Sequence, residues 1–342
     1  MNLNYAFTLH AVSVQENFDS SLLQRFHYSP SRTSTKLFLN DKSGLHNPLP
    51  SLNNFGLQGK KKMDKNLHPY RYIINEPHKC KEKNPFLVFL IASTGKEKQL
   101  REAIRKTWGN EVIVSGVCIV RLFMLGISNQ AKTKSLFKES KLYHDIIQQN
   151  FLDTYKNLTL KTMMGMNWVS TYCPNASYVM KTDSDMFVNT EHLIKRFLKP
   201  SLPAKRNYFT GFILKNHVPH RDKNSKWYVP PNIYPHTRYP SFCSGTGYLF
   251  STDLAAKIFS AYLKTTYLFL EDVFVGICLK RKGIEIVQPP KAYLFNNHMV
   301  RFTPCRYYNL ITSHGMNPDL LMNVWHKLQK TKHSCIEEDT YS

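Results

Sequence analysis

Hydrophobic and polar positions divide the chain near residue 69. Residues 1–68 are polar, rich in Ser, Asn and Lys, and show no sustained period. Lys60, Lys61 and Lys62, with the Pro/Ser/Asn stretch 47–54, mark a solvated, disordered stem or linker. Beyond it, apolar runs alternate with amphipathic stretches. Residues 86–92 form a continuous apolar run, as a strand buried on both faces of a parallel sheet requires. Thr94 and Glu97 have capping-box spacing and predict a helix through Trp108. A second strand is predicted over 117–125, helices over 133–143 and 157–172, and a third strand over 178–182. Further on come strands 208–214 and 247–251, an aromatic and Pro-rich loop 226–240, helix 253–263 and a last helix 271–282. Strand alternating with helix is the signature of an α/β fold with a doubly wound, mostly parallel central sheet flanked by helices. Ligands in such folds bind at the carboxyl ends of strands.

The chain's 342 residues suffice for one large α/β domain or two small ones. The net charge of +22 is spread along it: residues 1–84 hold 12 basic and 6 acidic side chains, the remainder 34 and 18. Such charge attracts any polyanion, whether nucleic acid, anionic membrane or nucleotide diphosphate. Zinc-finger, helix-turn-helix and aromatic RNA-binding patterns are missing, so nucleic acid is not the expected partner. Seven cysteines without a C-x-x-C pair argue against structural zinc. With sequons at Asn157 and Asn175 they favour an oxidising secretory compartment. Cys118, inside an apolar run, reads as the odd, buried free thiol. No stretch supplies about 18 consecutive apolar residues, and the first ten residues lack a signal peptide's basic and apolar regions.

Several residues could carry chemistry. Asp183 and Asp185 flank Ser184 at the end of a predicted strand, where i and i+2 face one side and can approach one Mg²⁺ or Mn²⁺ ion. An Asx turn accounts for the same doublet. Glu271 and Asp272 open a helix; they complement its dipole or, partly desolvated, supply a general base. The small-residue loop containing Gly245, Thr246 and Gly247 lets backbone approach a ligand or simply makes a tight turn. Arg105 reaches a diphosphate or lines a solvated helix face, and Trp227 and Tyr228 stack on a sugar or pack on the core. His298 and His314 ligate metal or are structural.

Four segments occur in order: Ala103-Ile-Arg-Lys-Thr-Trp-Gly109, Tyr178-Val-Met-Lys-Thr-Asp-Ser-Asp-Met-Phe-Val-Asn189, Phe242-Cys-Ser-Gly-Thr-Gly-Tyr248 and Leu270-Glu-Asp-Val273. In these the chain resembles the β-1,3-galactosyltransferase family over residues 70–335. The resemblance implies a GT-A type nucleotide-sugar transferase fold, with a catalytic domain over 69–335 and a tail at 336–342. It implies UDP-galactose as donor, Mn²⁺ or Mg²⁺ as cofactor, and inverting transfer to the 3-hydroxyl of a terminal N-acetylglucosamine-type sugar on glycoprotein or glycolipid. The alternatives are N-acetylglucosaminyl transfer and an inactive homologue that binds UDP or glycan.

Carried over by motif, Asp185 and His314 match metal ligands, with Asp183 beside them in the metal and UDP motif. Asp272 matches the base, with Glu271 in reserve. Arg105, Lys181, Asp183 and Ser184 match positions near the donor, and Trp227, Tyr228 and the Gly245–Gly247 segment positions near substrate. The six cysteines other than Cys118 match family positions, which implies disulfides without their pairing. The resemblance also implies a type II Golgi membrane protein with a signal anchor; since none is visible, either the N-terminus as written is truncated or misassigned, the favoured reading, or this form is soluble. Two departures bear on acceptor choice: Phe269 replaces a His, and residues 296–300 replace a Phe-Asn-His-Trp-type segment.

Overall fold

A computed structural model describes residues 68–335 apart from 82, 112, 113, 115, 129–132 and 333. The expected stem 1–68 (all but residue 68) and tail 336–342 lie outside the described residues. In chain order the elements are β1 (Tyr72–Ile74), β2 (Leu87–Ala92), α1 (Lys98–Lys106), β3 (Ile119–Ile127), α2 (Thr133–Tyr143), β4 (Ile146–Leu152), α3 (Leu158–Tyr172), β5 (Tyr178–Asp183) and β6 (Met186–Val188). There follow α4 (Thr190–His192), β7 (Phe209–Leu214), β8 (Phe242–Ser251), α5 (Asp253–Tyr262), α6 (Glu271–Arg281), α7 (Pro304–Asn309), β9 (Thr312–His314) and α8 (Pro318–Thr331).

Seven strands form one sheet in the order β1-β4-β3-β2-β5-β8-β7, and β6 pairs β9 in a separate ribbon. Strands β4, β3, β2 and β5 are mutually parallel, whereas β1 and β8 run against their neighbours. The α/β class with a mostly parallel sheet is therefore what the chain adopts. All six β2 residues are buried. Val88, Leu90 and Ala92 join the core under α3, α5 and α6; Leu87, Phe89 and Ile91 join the one under α1 and α8. Side chains alternate between the faces of a strand, so a strand covered on both sides is apolar throughout.

Differences from expectation have local causes. Helix α1 begins one turn late because Glu97 bonds back to the Thr94 amide, completing only the acid's half of the capping box. Helices α7 and α8 continue the fold beyond α6, which sequence periodicity had placed last. Residues 242–246 are not a loop. They belong to the ten-residue β8, where the pairing with β7 slips between Gly211 and Ile213. Disulfides join Cys80 to Cys173 and Cys305 to Cys335, while Cys243 and Cys278 are buried free thiols, against the six bonded cysteines expected. Cys118 is free as expected, but half-buried. No helix among the described residues is long and apolar enough to cross a membrane.

Candidate functional site

Strand β5 runs through the centre of the sheet and ends at Asp183, in register with Ala92 of β2. The chain turns at Ser184 and Asp185, and the Ser184 amide donates to the Ala92 carbonyl. The doublet therefore sits at the carboxyl end of a parallel strand, in a turn rather than in extended backbone. Ribbon β6/β9 sets Met186 opposite His314, and the Met316 amide donates to the Asp185 carbonyl. These contacts bring His314 Nε2 to 3.1 Å from Asp185 Oδ2. The hydrogen bond that Asp185 accepts raises the His314 pKa against the opposing effect of burial. His298 only lends its carbonyl to the His314 amide, its ring lying against Asn297.

Asp183 faces a different partner. Lys181 Nζ lies 2.9 Å from Asp183 Oδ1 and 3.3 Å from Glu271 Oε2, and donates to the Gly245 carbonyl. Burial alone would lower the Lys181 pKa; the Asp183 and Glu271 carboxylates overcome it and raise it. Glu271 is fully held, accepting from Tyr248 Oη at 2.6 Å as well as from Lys181. Its pKa is pushed up by burial, with Lys181 pulling against it. Glu271 is thus held on both carboxylate oxygens, one by Tyr248 and one by Lys181.

Asp272 stands one residue on, half-buried, with its oxygens accepting from the Val273 amide at 2.8 Å and the Gly245 amide at 3.2 Å. Burial raises its pKa, and these amides only partly offset the effect. Gly245 has no room for a side chain: a Cβ there would lie 2.9 Å from Glu271 Oε2. The reason for glycine in the segment is therefore close packing against the acid pair.

Asp272 opens onto a cleft of about 370 Å³ whose lining includes Trp227, Tyr155, Tyr239, Leu270 and Asn297. Tyr228 is not among its lining residues, so only Trp227 of the two expected aromatics reaches the cleft. Asn297 lies in the departing segment 296–300, and Phe269 packs edge-on against Tyr155, which places both sequence departures beside the cleft.

Two expected donor contacts, Arg105 and Ser184, are engaged by other side chains. Arg105 Nε and Nη2 bond Asp145 at 2.8 and 2.9 Å, and Nη2 also bonds Glu139 at 2.8 Å, within a buried network that includes Arg101 and Arg121. An apolar helix face hid this role, because its acidic partners lie on α2 and just before β4. Ser184 turns inward, donating to Glu97 Oε2 at 3.1 Å. Thr246 and Gly247 pair with Thr182 along β5. Among the sequons, Asn175 is exposed in the turn before β5, whereas Asn157 is half-buried and donates to the Leu152 carbonyl.

Sequence reading missed Tyr155 and Tyr239, both in the cleft wall with Trp227. The sequon drew attention to Asn157, two residues away; an exposed aromatic at a helix entrance was the available signal.

Residues 99–290 match the family profile described as galactosyltransferase, and residues 20–88 the one described as β-1,3-galactosyltransferase 2 N-terminus. The chain belongs to the galactosyltransferase family. It is 51% identical over 313 residues to β-1,3-galactosyltransferase 2 of Mus musculus, covering 91% of this chain and 74% of that protein. The Homo sapiens protein of the same name is 55% identical over 79% of this chain, which spans only 64% of that relative's length. β-1,3-Galactosyltransferase 1 of Mus musculus is 47% identical over 78% of this chain and 81% of its own. Among solved structures, a glycosyltransferase involved in glycosylation of the major capsid of PBCV-1 aligns over 71% of this chain and all of its own, at 12% identity and a TM-score of 0.39. Membership makes the chain a hexosyltransferase of the kind that transfers galactose in β-1,3 linkage. It implies a nucleotide-sugar donor and a glycan acceptor.

Proposed function

We propose that the chain transfers galactose from UDP-galactose, with inversion, onto the 3-hydroxyl of a terminal N-acetylglucosamine-type sugar of a glycoprotein or glycolipid. The observation that carries this reading is the Asp272 carboxylate, half-buried, with a raised pKa, at the wall of a cleft that also presents Trp227. Direct displacement needs a base to take the hydroxyl proton as the oxygen attacks. Asp272 fills that role: burial strengthens its basicity, and the Gly245 and Val273 amides fix its orientation. Trp227 supplies a stacking face for the acceptor ring, and Tyr155 lines the same cleft. Lys181 holds Asp183 and Glu271 in place, so Asp272 is the acid left facing the cleft.

Among the described residues no group of three or more His, Cys, Asp or Glu is arranged for a metal ion. Asp185 and His314 nevertheless fit one: an imidazole nitrogen and a carboxylate oxygen, both partly exposed, at 3.1 Å. They would hold Mn²⁺ with diphosphate oxygens completing its shell, and Asp183 would act on that site through its charge. When bound, the ion neutralises charge gathering on the departing UDP. A lumenal Golgi location, with the membrane anchor that the resemblance implies, belongs to the same proposal.

The test is transfer of labelled galactose from UDP-galactose to N-acetylglucosaminides, with other UDP-sugars in parallel. Galactose should be accepted, with activity lost to chelator and restored by Mn²⁺. Tight UDP binding without transfer would leave an inactive binding homologue, and preference for UDP-N-acetylglucosamine would shift the donor.

A further inference from the structure

The Asp272 cleft does not end at its own walls. Along α6, Val273 lines the cleft, and Ile277, Lys280 and Arg281 line a neighbouring groove of about 500 Å³. These positions fall on one stripe of the helix, spaced by four, seven and eight residues. Tyr239 walls the cleft and the adjacent Pro240 walls the groove, so the two share a rim. The groove also holds Tyr234, His236 and Arg238, and no acidic residue lines it. Lys280 lies about 12 Å along the helix axis from Asp272, a span that a di- or trisaccharide covers.

Three observations point to a ligand. Arg238, Lys280 and Arg281 are exposed, and none has an acidic partner among the described residues. Cations at the end of α6 complement the helix dipole, which accounts for Lys280 and Arg281. It does not account for Arg238, which comes from the loop before β8 and has one nitrogen held by the Asn216 carbonyl at 3.2 Å. Finally, Tyr239 is 6% exposed and its hydroxyl has no hydrogen-bond partner among the described residues; the residue lines the cleft and its ring packs 4.9 Å from that of Tyr234 in the groove. Buried hydroxyls are normally satisfied, so this one is a polar group left over in the wall that cleft and groove share.

We infer that this groove is a second acceptor subsite, which takes an acidic sugar (sulfated or carboxylated) lying inward of the sugar that receives galactose. The inference rests on the transferase reading. Arg238, Lys280 and Arg281 supply charge-assisted hydrogen bonds to the anion, and Tyr234 offers a ring for stacking.

The disaccharide N-acetylglucosaminyl-galactose, with and without a sulfate on the galactose, tests this directly. The native chain should show a KM about tenfold lower for the sulfated form, as one or two charge-assisted bonds allow. A variant combining Arg238→Ala, Lys280→Ala and Arg281→Ala should erase that difference and leave kcat/KM for the neutral disaccharide within about twofold. Equal KM values in the native chain, or equal losses on both acceptors in the variant, overturn the subsite. Indifference to sulfate, with variant-sensitive binding to phosphatidylserine–phosphatidylcholine vesicles, also overturns it and makes the groove a membrane-facing surface. If neither disaccharide is galactosylated, the transferase reading fails separately. Calorimetric binding of the two disaccharides without donor then decides the groove, stronger binding of the sulfated form supporting it and equal binding refuting it.

Discussion

Two groups of charged side chains, one under α1 and α2 and one at the end of β5, behave in opposite ways. Under α1 and α2, Arg101, Arg105 and Arg121 surround Glu139 and Asp145, and all five are buried. At the end of β5, Asp183, Asp185, Glu271 and Asp272 are served only by Lys181 and, through Asp185, by His314. Burial would raise the carboxyl pKa values in both places. In the first group the arginines overcome it, and Glu139 and Asp145 are lowered. In the second, cations are too few, and Glu271 and Asp272 stay raised. The ratio of cations to acids, more than depth, separates a silent structural network from one kept ready for proton transfer.

The sharpest break of this comparison is Asp272→Asn. It should lower kcat about 10³-fold, the contribution of a positioned base, while UDP binding stays near native and the fold is retained. Unchanged turnover removes Asp272 from the base role. Next in size, Asp145→Ala should leave two buried guanidiniums without that partner and cost roughly 3–5 kcal/mol of unfolding free energy. Denaturant titration measures it. Arg105→Ala sharpens the same point: it should destabilise, yet per folded molecule leave the KM for UDP-galactose within about twofold. A large rise in that KM would restore Arg105 to the donor site.

The pH response should separate the two groups by sign. Lowered carboxyls give stability that is fully present above their unfolded values and is lost as pH falls through the folded ones. Raised carboxyls favour the folded state at low pH, and that stability is lost as pH rises through the folded values. Glu139→Gln should therefore flatten the acid side of a melting-temperature profile, and Asp272→Asn the decline toward neutral pH. The native rate should fall on acidification at a pH above the ordinary carboxylate range of about 4. A rate limb at or below that range argues against the raised base. The smallest effect is that of Gly245→Ala: crowding Glu271 Oε2, itself pinned by Lys181, should cost about 1–3 kcal/mol. Activity should fall more than stability, because the same amide orients Asp272.

Much of this was legible in the chain. The run 86–92 has apolar residues at every position, which only a strand covered on both faces needs, and β2 is that strand. Asp183 follows an apolar strand directly, so its place at a strand end could be read locally. The short strands β6 and β9 were not legible, because three residues carry no period, yet their pairing is what unites Asp185 with His314.

Sequence by itself determined the α/β class, the order of the main strands and helices, and through ordered motifs the transferase family, because these depend on local periodicity and on residues close in the chain. Only the tertiary structure decided which partners surround each member of a pair. It locked Glu271 between Lys181 and Tyr248 while leaving Asp272 at the cleft, and it bound Arg105 to Glu139 of α2 and to Asp145. Those choices turn on contacts between residues distant in the chain, and the chemistry of a carboxylate or guanidinium is set by whichever charges folding places beside it.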